Sequence, residues 1–129
     1  MGNTIWIEVR DRPGAETHED LSVLHALTDQ LDALAKRLGV TQPSAFYDYS
    51  PLLPVEEHAN PTWFDANRGL ESMTTLHAVL REDFGSLRWT PDASQQHWPE
   101  SLLDELTFCE RILAEAARDA RAFRLMIVD

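Results

Sequence analysis

Cysteine is nearly missing from this chain: Cys109 stands alone, so no intrachain disulfide, zinc ribbon or redox dithiol can be built. A chain that does without disulfides suits a reducing compartment, and a cytoplasmic location is expected. Long apolar runs are missing too. None approaches the roughly 18 residues of a membrane-spanning helix, and the first residues lack the basic stretch and hydrophobic run of a secretion signal, so no membrane association is expected. Cations are scarce: 11 Lys and Arg face 22 Asp and Glu, a formal net charge of -11 that repels nucleic-acid phosphates and anionic lipid. Nucleic acid is therefore excluded as an expected partner, and a basic protein is the electrostatic match.

Signatures of common chemistry are also lacking. There is no Gly-rich phosphate loop, no Gly-x-Gly-x-x-Gly, no Gly-x-Ser-x-Gly elbow and no His-Glu-x-x-His helix. On this ground no catalytic residue, metal or cofactor is assigned, and the balance leans away from an enzyme.

What is present fits a globular chain. Hydrophobic residues make up 43% and charged residues 26% of 129, which is enough apolar material to enclose one core, so a single domain over residues 1–129 is expected. Ile5, Ile7 and Val9 alternate with Trp6, Glu8 and Arg10, the period of a strand half buried in a sheet, and Pro13-Gly14 ends it. At the other end Phe123, Leu125 and Ile127 share one face while Met126 and Val128 lie opposite, which predicts an inner strand.

Three helical patterns lie between. Leu21, Leu24, Leu27, Leu31, Leu34 and Leu38 form one stripe before Gly39, with Thr17 and Asp20 at capping-box spacing ahead of it. A second helix opens at the N-cap Asp65, carries Leu70, Met73, Leu76, Leu80 and Phe84 on one face, and meets Gly85. A third starts at Pro99 and presents Leu102, Leu106, Cys109, Leu113, Ala116 and Ala120, widened by Phe108 and Ile112. Ala45–Tyr49 and Ser86–Thr90 have the character of brief strands, whereas Val40–Thr62, with four prolines, is expected to be largely irregular. The expected fold is α+β: three amphipathic helices on a small, mainly antiparallel sheet of two to four strands that includes both chain termini.

The densest polar cluster is the stretch holding Tyr47, Asp48, Tyr49, Glu56, Glu57, His58, Trp63 and Asp65, a set able to form a partner-binding surface. His77 falls on the apolar face of its helix, so it is either locked by hydrogen bonds or set in a pocket wall. Trp89 and Trp98 flank a second connection and are candidates to line a groove. His18 and His25, seven residues apart on a helix and so about 10.5 Å apart along its axis, cannot share a metal. Two functions follow as expectations. One is a non-catalytic module that binds a basic protein, an immunity-type inhibitor being one instance. The other is a small-molecule-binding protein or enzyme with a pocket near His77 and the 47–65 stretch. A homodimer joined through a sheet edge or the Phe108 face is compatible with either.

Overall fold

A computed structural model of the chain describes residues 4–11, 19–52, 62–84, 87 and 97–128. Strand β1, Thr4–Val9, alternates half-buried and buried side chains as its period predicts. It pairs antiparallel with β3, Phe123–Val128, from Thr4 opposite Val128 to Val9 opposite Phe123. The far side of β3 takes a two-residue strand β2, Tyr47–Asp48, so the order is β1-β3-β2 and the strand that is apolar on both faces is the inner one.

The sheet is mixed rather than mainly antiparallel, because β2 runs parallel to β3. A parallel pair needs a long crossover, and the chain between β2 and β3 supplies one containing two helices. Ile5, Ile7, Val9, Phe123, Leu125 and Ile127 enter the helix-covered core. Glu8 and Arg124, opposite one another in register, occupy the other face.

Among the described residues four α-helices form where three were expected. The leucine stripe is divided into α1, Ser22–Ala26, and α2, Thr28–Leu38, with Leu27 at φ -101 and ψ 15 between them. The Thr28 hydroxyl explains the break, since it donates to the His25 carbonyl at 2.6 Å and pairs with the Tyr47 hydroxyl at 2.8 Å, competing with the helical ladder. The stripe survives the break: Leu21, Leu24, Leu27, Leu31 and Leu34 are all buried. Gly39, at φ 77, closes α2 in the left-handed conformation.

The capping-box expectation is corrected. Thr17 lies outside the described residues, and Asp20 accepts from the Trp6 indole at 2.7 Å instead of capping a helix.

Helix α3, Ala66–Glu82, begins as expected, with the Asp65 carboxylate accepting the Asn67 N–H at 3.0 Å. Met73, Leu76 and Leu80 are buried beneath it. Helix α4, Trp98–Arg118, carries Pro99 in its first turn and buries Leu102, Leu106, Cys109, Ile112, Leu113 and Ala116. Ala120 departs from the expected stripe: it lies past the helix end, exposed and left-handed at φ 54. The proline-rich stretch is more regular than expected, with 3-10 turns at Pro43–Phe46 and Ser50–Leu52 flanking β2. The expected strand at Ser86–Thr90 lies outside the described residues except for Leu87, which is buried.

Candidate functional site

On the sheet face away from the helices, one guanidinium gathers two carboxylates. Arg124 Nε and Nη2 donate to Glu8 Oε1 at 3.1 and 3.0 Å, and Nη1 donates to Asp48 Oδ2 at 2.5 Å. Asp48 also accepts the backbone N–H groups of Ser50 at 2.9 Å and Thr62 at 3.3 Å. Burial opposes ionisation of Asp48, but the Ser50 N–H, the Arg124 guanidinium and the Ser50 hydroxyl outweigh it and hold the carboxyl below its usual range. The indole of Trp63 covers the cluster, its ring centroid 5.0 Å from Arg124 Cζ. Asp48, 6% exposed, thus joins β2, β3 and the chain entering α3.

Tyr47 points the other way, into the core. Burial pushes its phenol above the ordinary range, and its hydroxyl is held by Thr28. Of the remaining residues in the sequence cluster, Tyr49 is 56% exposed beside Leu52 at 40%. Trp63 and Asp65 line a cleft, whereas Glu56, Glu57 and His58 lie outside the described residues.

His77 is 8% exposed, and its Nδ1 lies 2.9 Å from Glu110 Oε1 on α4. The ring ties α3 to α4, and its bond runs to no described residue of the 47–65 stretch. Trp98 is half-buried, edge-on to Phe84 with centroids 5.7 Å apart, and Trp89 and His18 lie outside the described residues. Cys109 is enclosed in the core, where burial pushes its thiol far above its ordinary range and makes it inert. Among the described residues no group of three or more His, Cys, Asp or Glu is placed to hold a metal, and no helix is long and apolar enough to cross a membrane.

One polar group that sequence reasoning missed is Glu105. Its carboxylate reaches from α4 to the start of α1 and accepts the N–H groups of Val23 at 3.2 Å and Leu24 at 2.8 Å, caps that α1 does not obtain from its own N-cap, Leu21. Burial pushes its pKa up to about 7; the two N–H bonds pull it down, and the nearby charges of Asp104 and Asp20 push it up again. A signal existed in the spacing. Glu105 lies three residues after Leu102 and four before Cys109, within the apolar stripe of α4.

Described residues line a notch and a larger cleft. A notch of about 200 Å³ beside α4 is lined by Glu19, Asp104, Thr107, Phe108 and Arg111. Inside it the Arg111 guanidinium lies over the Phe108 ring, 5.2 Å from the centroid. A larger cleft of about 510 Å³ lies where the end of β1, the start of α3 and the end of α4 meet, with Arg10, Trp63, Asp65, Asn67 and Arg121 among its walls. No protein-family model, curated protein or solved structure matches this chain.

Proposed function

We propose that this chain is a non-catalytic binding module for a basic protein, with an immunity-type inhibitor as one instance, and that the notch beside α4 takes a basic side chain of the partner. The observation that carries this reading is the chemistry of the notch. Glu19 and Asp104 line the notch with a single cation, Arg111, which Phe108 holds on its ring face, so the carboxylates outnumber the cation and a partner's Arg or Lys meets a site of net negative charge. The net charge of -11 draws such a partner in over long range. Among the described residues, three ionisable groups with little exposure have structural partners: Asp48 with Arg124, His77 with Glu110 and Glu105 with the start of α1.

The test is affinity capture of basic proteins from the source cell's extract, on the immobilised chain and on a Glu19→Lys, Asp104→Lys variant, at about 50 mM and about 300 mM salt. A specific basic protein held by the parent, lost by the variant and weakened by salt is expected. Equal retention by the variant, or retention indifferent to salt, overturns the reading.

A further inference from the structure

We propose that the cleft between β1, α3 and the end of α4 is a binding site for a small oxyanion, a carboxylate or phosphate group carried by a small molecule. The site lies at the other end of α4 from most of the notch and does not depend on a basic partner.

Its first support is the placing of charge. Acidic residues outnumber basic ones two to one in the chain, yet the cleft brings Arg10 and Arg121 together from positions 111 residues apart. The sheet register does this: the Arg10 N–H donates to the Ala122 carbonyl at 2.8 Å, continuing the β1–β3 pairing by one residue. Arg121 uses Nη1 alone on protein acceptors among the described residues, the carbonyls of Arg10 and Asp11. A guanidinium has five N–H donors, so three have no acceptor among the described residues. Arg10 lies over the Trp63 ring, 5.9 Å from the centroid, which holds its plane and leaves its edge for a bidentate acceptor.

The carboxylates nearby are weak competitors. Asp11 is 3.9 Å from Arg10 Nε, with both side chains more than half exposed, and a loose pair of that kind contributes little and yields to a ligand. Asp65 lines the cleft, but its carboxylate is committed to the Asn67 N–H at the start of α3.

Shape is the second support. A volume of about 510 Å³ lies within the usual range of small-ligand sites, and Phe64, Ala66 and Ala117 give it apolar walls that strengthen ionic contacts inside. Two non-glycine residues take left-handed backbone at this corner, Asp11 at φ 58 and Ala120 at φ 54, and both line the adjoining hollow with Arg10 and Arg121.

The experiment is nuclear magnetic resonance of the 15N-labelled chain, titrated separately with inorganic phosphate and with succinate against sodium chloride at equal ionic strength. The signals followed are the Arg10 and Arg121 Nε–H groups and the Trp63 indole. Saturable shifts of these signals with phosphate, succinate or both are expected; phosphate alone identifies a phosphate-bearing ligand and succinate alone a carboxylate-bearing one. Arg121→Gln is expected to weaken binding tenfold or more. Ala117→Met, which keeps both guanidinium groups and fills the space, is expected to do the same should Arg121→Gln fail to fold. Shifts that never saturate, that chloride reproduces, or that survive Ala117→Met overturn the proposal.

Discussion

Asp48 and Arg124 sit on adjacent parallel strands with Oδ2 and Nη1 2.5 Å apart, their side chains only 6% and 12% exposed. Removing one partner of a buried pair leaves a desolvated charge, although here Glu8 and Trp63 still hold the guanidinium. Asp48→Ala is therefore expected to cost about 2–3 kcal/mol, read as a lower urea midpoint with unchanged slope. Because the folded state holds the Asp48 carboxyl below its unfolded value, its contribution is present above the ordinary carboxylate range and is lost as the pH falls through it. The parent should lose stability between about pH 5 and pH 3 more steeply than Asp48→Ala.

Glu105 has the opposite sign. Its folded pKa of about 7 stands above its ordinary 4.5, so the native state retains a proton that the unfolded chain has released. The resulting stability is full below the unfolded value and is lost as the pH rises through about 7. Thermal melts should show a midpoint that falls from about pH 5 to pH 8 in the parent and stays flatter in Glu105→Gln, a difference of order 1–2 kcal/mol given the partial exposure of the group. Parallel curves for the two proteins would sink this assignment.

Gly69 faces the ring of Phe123 so closely that an added Cβ would lie 2.4 Å from its Cζ and 2.6 Å from its Cε1. Alanine is the better helix former by about 1 kcal/mol, but the buried ring has no open side to move into, and overpacking costs about 1–3 kcal/mol. Gly69→Ala is expected to destabilise on balance, and Phe123→Leu added to it to recover part of the loss. A more stable Gly69→Ala by chemical denaturation would show that the helix and sheet are not in close contact here.

The ends of α2 and α4 make a matched pair. Val40 N bonds the Ala35 carbonyl at 3.0 Å past Gly39, and Arg121 N bonds the Ala116 carbonyl at 2.8 Å past Ala120, so one closing motif is served by glycine in one helix and alanine in the other. Gly39→Ala, with nothing near its Cβ, is expected to lose about 1 kcal/mol from backbone alone. Ala120→Gly is expected to gain up to about 1 kcal/mol, and equilibrium unfolding of the two variants tests both signs.

Much of the fold was legible in residue order because it follows from local periodicity. The alternation of Ile5, Ile7 and Val9, the leucine stripe to Leu34, the Asp65 cap and the two-sided apolarity of β3 each report burial through spacing alone. The break at Leu27 was not legible, because the Tyr47 hydroxyl that meets Thr28 comes from 19 residues away. Nor was the parallel direction of β2, which rests on two residue pairs at the end of a crossover.

The candidate site divides the same way. Spacing put Asp48 among polar loop residues and His77 on an apolar face, but their partners, Arg124 and Glu110, are 76 and 33 residues distant. Local order by itself determined which faces are apolar, where α3 and α4 begin and the large excess of negative charge. Tertiary structure alone decided which ions neutralise one another inside and which pair of guanidinium groups is left together at a cleft. Periodicity encodes how much of a side chain is buried, whereas an ionic pairing depends on through-space distance, which sequence separation does not carry.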